Sequence, residues 1–315
     1  MGGMHASTIM TSSPVPLAES ELQSQIQQAL SSKLTGQIQI VFLNGRTESI
    51  FVQHGIVQSL YIRNHRLPDL HWEAPLERLG IGTLAIEPLP GRALMFKKVV
   101  LEEITQPSPQ QSDTTQLQSM YSLAKYNPTP TLFHIQWETA EAFVLVAGGH
   151  IPVQHAVLIT PSFVKEGQAA LDHLLNWEDA GCNVMIHRGD IKNQAWLELQ
   201  LNILLEWYCQ KILSHYQQLT GVVMVKSILQ SIAILAETKG WNLSTHNQHL
   251  TDASIFSSAA EMRNAYREIF STIRSRIEPI IGSSLTNYLM KQSIESTSGV
   301  YKTIQEAFDL VEDSQ

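Results

Sequence analysis

The chain has 315 residues, 43% of them hydrophobic and 16% charged, with a formal net charge of −8. That length accommodates two or three domains with buried cores, and the negative balance opposes general binding to nucleic acid or to an anionic membrane. The two cysteines, Cys182 and Cys209, exclude a disulfide scaffold and suit a reducing, cytoplasmic setting.

Residues 1–16 are small and polar and lack an apolar signal core, so a disordered lead is expected. A first α/β unit is expected over 17–110. Leu22, Ile26 and Leu30 predict a helix from Glu19 to Lys33. Ile38, Ile40 and Phe42 recur at every second position, as in a half-buried strand. Asn44-Gly45 predicts a type I′ turn, in which both central residues have positive φ. A strand over Glu48–Gln53, a turn at His54-Gly55 and a strand over Ile56–Ile62 complete a meander. Asp69 can cap a short helix through Leu79. "GTLAIEPL" and "ALMFKKVVLEEI" predict two further strands, and the Pro-containing "TQPSPQQSDTTQ" at 105–116 predicts a linker or exposed loop.

A second α/β unit is expected over 111–216. It opens with a helix from Thr115 to Ala124. The alternation of Phe133, Ile135 and Trp137 predicts a strand, and Glu141–Ala147 with Val153–Ile159 predict a hairpin across Gly148-Gly149. A helix from Pro161-Ser162 to Trp177 would bury Ala170, Leu171, Leu174 and Leu175. Gly181 ends it, and "CNVMIH" is a strand. The two series stand roughly 94 to 101 residues apart, which predicts an internal duplication. Beyond that strand the copies are expected to diverge, the first staying in β-structure and the second entering a long helix, Gln194 to His215.

A helical bundle is expected over 217–315. Its members are Leu219–Lys239, stopped by Gly240, then Ser254–Ile277, interrupted by Pro279, then a helix marked by Leu285, Tyr288 and Leu289, and a last one carrying Val300, Ile304, Phe308 and Val311. "WNLSTHNQHLTD" between the first two predicts a loop. The most apolar run, Gly221 to Leu235, falls short of the ~20 residues that span a bilayer, so no membrane insertion is expected. The fold class is thus α+β, with duplicated antiparallel β-meander units followed by a C-terminal helical bundle.

Few motifs carry chemistry. "GIGTLA" at Gly80–Ala85 fits a dinucleotide fingerprint in spacing, but it opens a strand where that fingerprint must open a helix. "HRGD" at His187–Asp190 lacks every companion of a kinase catalytic loop. His246, His249 and Asp252 offer too few ligands for a zinc site. Cys182 and Cys209 have no C-x-x-C partner and read as buried small hydrophobes. No catalytic residue, cofactor site or metal site is therefore expected. Candidates for a protein interface remain. Arg263, Arg267 and Arg274 share one helix face, although Glu261, Glu268 and Glu278 interleave with them. Trp241, just beyond a helix stop, is a candidate interface anchor. The broad apolar face of Leu219–Lys239 exceeds the stripe of roughly 100° that a helix covered on one side needs. It predicts a second layer, supplied by the α/β part or by a second protomer in a homodimer.

"GQAALDHLLNWEDAGCNVMI" resembles the tail of the PATAN domain, the N-terminal domain of PatA-type response regulators, on Gly167, Ala170, Leu174, Leu175, Trp177, Gly181 and Val184. "LTGQIQIVFLNGRTESIFVQHGIVQSLYI" resembles the front of the same domain, on Leu34, Gly36, Ile38, Ile40, Gly45, Ile50, Gly55 and Ile56. The resemblance spans about residues 20–215. One such domain with a large insertion, or two copies, would give this pattern. It implies a non-catalytic bacterial signalling adaptor that acts by protein–protein contact in a response-regulator or small-GTPase pathway. A small-ligand sensor, with a ligand in the α/β part and helices relaying its presence, is the second expectation.

Overall fold

The computed structural model describes residues 11–12, 15–67, 80–103, 109–124, 130–146, 155–176, 181–189, 193–246 and 249–295. The chain forms two compact units, Met1–Asp190 and Ile191–Gln315. The first unit holds two six-stranded antiparallel sheets. One is built from β1 (Thr11–Ser12), β2 (Gly36–Phe42), β3 (Thr47–Gln53), β4 (Ile56–Ile62), β5 (His65–Arg66) and β6 (Gly82–Pro88). The other is built from β7 (Gln110–Ser112), β8 (Thr131–Gln136), β9 (Glu141–Val146), β10 (Ala156–Ile159), β11 (Val164–Glu166) and β12 (Cys182–Arg188).

Strand order runs β1-β6-β2-β3-β4-β5 in the first sheet and β7-β12-β8-β9-β10-β11 in the second. Each strand of one copy has its counterpart at the same place in the other, so the duplication covers whole sheets. The helices repeat as well. α1 (Glu19–Ser31) precedes β2, and α3 (Thr114–Ala124) precedes β8. α2 (Gly91–Glu102) follows β6, and α5 (Gln194–Thr220) follows β12. The expected divergence after the last strand is therefore corrected, because both copies enter a helix there.

The strand expected in "ALMFKKVVLEEI" is α2. Its residues Ala93, Leu94, Met95, Phe96, Lys98 and Val99 are all buried. A helix covered on nearly every side has no amphipathic period, and its apolar run reads like a buried strand. Pro90 occupies the cap position in an extended conformation and turns the chain out of the sheet. Two other expectations shift for local reasons. Gln110–Ser112, expected in a linker, pairs with β12. The helix expected from Pro161 starts only at Gln168, as α4 (Gln168–Leu175), because Val164–Glu166 first pairs with β10. The helix expected from Asp69 to Leu79, the Gly148-Gly149 turn, Trp177 and the helix over 300–311 lie outside the described residues.

The turns also differ from expectation. Gly45 has φ +78° but Asn44 does not share a positive φ, so the first turn is not type I′. The Gly45 amide donates to the Phe42 carbonyl at 2.9 Å, and Asn44 Oδ1 accepts from the Arg46 amide. That is the three-residue loop with glycine in the left-handed position. The type I′ signature falls instead on His54-Gly55 and Arg63-Asn64, each with two positive φ values.

Layering follows from which faces are apolar. Leu22, Ile26 and Leu30 of α1 cover Ile38, Ile40, Ile50, Val52 and Leu84 on the first sheet. Ala170, Leu171 and Leu174 of α4 cover Phe133, Ile135, Val144 and Leu158 on the second. Between the sheets lies α2. It packs on β2 and β5, and Glu102 accepts hydrogen bonds from Tyr61 at 2.7 Å and Arg66 at 3.4 Å. Its Phe96 ring meets Phe143 of β9 at 5.8 Å. One helix thus serves as core for both sheets.

The second unit contains α5, α6 (Val222–Lys239), α7 (Ala259–Ile281) and α8 (Ser283–Glu295), with a hairpin of β13 (Leu243–His246) and β14 (His249–Asp252). The hairpin replaces the loop expected in "WNLSTHNQHLTD". Its Leu250 and Asp252 point inward and are buried. Pro279 does not interrupt α7, which runs on to Ile281 before Gly282. α5 packs on α6, α7, α8 and β14. Tyr208 faces Phe270 with ring centres 6.2 Å apart. The boundary expected at 216/217 therefore moves to 190/191, and α5 joins the helices.

Candidate functional site

A cleft of about 1110 Å³ opens at one end of the second sheet. Its wall is the β8–β9 turn, closed by the Trp137 amide donating to the Ala140 carbonyl at 2.9 Å. Other sides come from the end of β10 at Ile159–Pro161, the start of β12 at Gly181–Asn183, β7, the first turn of α3, and Glu87 of β6. The meander brings strand ends together, and polar turn residues gather there.

Carboxylates dominate the lining: Glu87, Asp113, Glu138 and Glu141. Lys97 of α2 lies 2.8 Å from Glu141 and 3.2 Å from Glu87. His134 Nε2 lies 2.7 Å from the other Glu141 oxygen. Burial alone would raise the Glu141 pKa, but the His134 hydrogen bond and the Lys97 charge outweigh it and hold the carboxyl at about 2. Burial would likewise lower Lys97, and the two glutamates reverse that. The His134 ring stacks on Phe143 at 4.8 Å and stands 6.0 Å from His187, which pairs with Glu103. Deeper along α2, Arg92 donates to His155.

Asp113 caps α3, accepting from the Gln116 amide at 2.8 Å. Cys182 borders the cleft as a thiol. Burial and the neighbouring Asp113 push its pKa up, and its Sγ–H donates to the Ser112 carbonyl. A raised pKa disfavours the thiolate that a nucleophile or metal ligand needs.

None of the interface candidates from the sequence lies at this cleft. Arg263, Arg267 and Arg274 stand on α7, in the other unit. Arg274 pairs with Glu278 at 3.6 Å and reaches Asn287 of α8. Glu268 pairs with Lys239 at 2.7 Å, and Glu261 caps Ser257. Trp241 is half-buried, edge-on to Phe256 at 6.4 Å. Gly82 of "GIGTLA" permits strand pairing, since a Cβ there would come within 2.9 Å of the Val41 carbonyl. His187 and Arg188 end β12, and Asp190 lies outside the described residues. Among the described residues no group of three His, Cys, Asp or Glu side chains is placed to hold a metal ion. Asp252 turns into a buried knot instead. It accepts from Tyr266 at 2.6 Å and from the Ser254 amide at 2.8 Å, and its own amide donates to Glu206 at 3.0 Å. Burial raises the Asp252 pKa against those hydrogen bonds, and nearby Glu206 adds to the rise.

The cleft residues escaped the sequence reading because seven elements, β6, β7, α3, β8, β9, β10 and β12, contribute to them. Only the adjacent Trp137-Glu138, at a turn between two clear strands, was a local signal.

No family model, no curated protein and no solved structure matches the chain.

Proposed function

We propose that the chain is a non-catalytic bacterial signalling adaptor, working in the cytoplasm by protein–protein contact. The resemblance to the PATAN domain supports a response-regulator or small-GTPase pathway, and two sheets of one strand order are what two copies of such a domain would give. The observation that carries the reading lies on α6. Its Val225, Ile228, Leu229, Ile232 and Ala236 are buried, while Val222, Val223 and Ile234 are exposed, the last two by 73% and 58%. Val223 and Ile234 lie eleven residues apart, three helical turns, and so share a face. Exposed apolar residues aligned on one helix suit a partner surface, and a second copy of the chain is one partner it would accept.

The test is photocrosslinking in the native host, with a benzophenone amino acid at Val223, at Ile234 and, as control, at exposed Arg276. Adducts to one protein from the first two positions alone support the adaptor. An adduct of twice the chain mass identifies a homodimer. No adduct above the control overturns the reading.

The cleft favours a second reading, a sensor that holds a small ligand on its second sheet. Among the described residues no helix is long and apolar enough to cross a membrane, which agrees with a ligand met in solution. Thermal shift of the purified chain against a metabolite panel tests it.

A further inference from the structure

We infer that the cleft at the end of the second sheet binds a guanidinium group. The inference rests on the reading of that cleft as a ligand site and names the chemistry of the ligand. Four carboxylates line it and one ammonium, Lys97, compensates two of them. Glu138, exposed at the turn, makes no ion pair among the described residues. Asp113 caps α3 with one oxygen and has a second that no other described residue pairs with. The cleft therefore carries an excess of negative charge beside low-dielectric walls, which concentrates cations.

A second observation is independent of charge. Ser112 is only 5% exposed, its hydroxyl has no hydrogen-bond partner among the described residues, and it lines the cleft. A buried hydroxyl without a partner is costly, and rotation of the Ser112 side chain towards the cleft would let a ligand N–H supply what it lacks.

The lining selects among cations. Half-buried Trp137 is among the lining residues and packs on the core of the second sheet, and an aromatic edge of the wall favours a planar guanidinium over a compact, strongly hydrated ammonium. The side-chain carbonyls of Gln116, Gln136 and Asn183 add acceptors. Five N–H donors in a fixed fork can satisfy carboxylate, amide and hydroxyl together, where an ammonium has three. The guanidinium arrives either on a small molecule or on an arginine of a partner segment.

The experiment titrates the full chain by calorimetry at low salt with N-acetyl-arginine amide, its lysine and citrulline counterparts, and an arginine-containing decapeptide. The arginine probe is expected to bind at least about tenfold more tightly than citrulline and several-fold more tightly than lysine. Glu138→Gln should weaken it about tenfold without changing the melting temperature, and Ser112→Ala should weaken it less. A decapeptide that binds tenfold more tightly than the single residue points to a partner segment, and equal affinity points to a small molecule. Arginine no tighter than citrulline or lysine, or unchanged by Glu138→Gln, overturns the inference. A metabolite panel run in parallel separates the two levels. An anionic or neutral ligand that shifts the Trp137 indole resonance leaves the site standing and refutes the guanidinium. No ligand of any charge at millimolar concentration refutes both.

Discussion

At the scale of single residues, charge and backbone strain give sharp expectations. Glu141 titrates at about 2 in the folded chain against the usual 4.5. Its folded pKa is depressed, so its contribution is fully present above pH 4.5 and is lost as pH falls from there towards 2. The shift corresponds to on the order of 3 kcal/mol. Glu141→Gln should therefore cost about that much at pH 7, and urea unfolding should show the gap to wild type closing between pH 4.5 and pH 2. Two glycines with similar φ should respond differently to alanine. At Gly45, φ +78°, a Cβ meets nothing within 4 Å, so only the backbone cost of about 1–2 kcal/mol applies. At Gly55, φ +82°, a Cβ would stand 2.3 Å from the Leu30 carbonyl, which ties the β3–β4 turn against the end of α1. Gly55→Ala should be clearly the worse of the two in thermal melts.

Among elements, α2 and the β13–β14 hairpin carry the most consequence. Phe96 is fully buried and packs on Phe143, so Phe96→Ala should cost about 3–5 kcal/mol. Because α2 is core to both sheets, hydrogen exchange should show protection falling in β2–β4 and β8–β10 together. Loss confined to one sheet would mean that the helix is not shared. In the hairpin, Asp252→Ala leaves the Tyr266 hydroxyl and the Ser254 amide short of an acceptor, at about 1–3 kcal/mol for each group left unsatisfied. Asp252→Asn is expected to be milder at neutral pH. The folded pKa of Asp252 is raised, so wild-type stability falls as pH rises above the ordinary value of 3.8, and the neutral amide removes that slope. Guanidinium unfolding of both variants at pH 4 and pH 7 checks the sign. What sequence could reveal follows from the same elements. β2 and β12 bury one alternating face, β3 and β4 lie between tight turns, and in β8 the apolar residues Phe133 and Ile135 alternate with His134 and Gln136 in the sequence although both faces are buried. α2 is buried all round, and its pattern matches a strand. β11 and the hairpin are three and four residues long, too short for any period. Of the cleft, the strand ends were legible, but their convergence depends on register across the sheet, and Glu87 and Lys97 arrive from the first copy, on β6 and α2.

For the whole molecule, the exposed face of α6 sets the expectation. Ile232 is fully buried, so a charge there would unfold the helices rather than report on association. Val223→Glu with Ile234→Glu is the informative pair. Such exposed changes should alter stability by within about 0.5 kcal/mol, while sedimentation velocity should shift from dimer to monomer if a second copy occupies that face. The shared helix between the sheets bears also on synthesis. α2 leaves the ribosome with the first sheet, but its other side waits for strands as late as β12, which ends at Arg188. About 90 residues of translation separate the two events, roughly 5–20 s at ordinary elongation rates. During that interval the nascent first copy presents Phe96 and its neighbours uncovered. The half-made chain is thus a natural client for a ribosome-associated chaperone, and slowing translation between codons 103 and 188 should lower the yield of folded protein more than slowing it after codon 222.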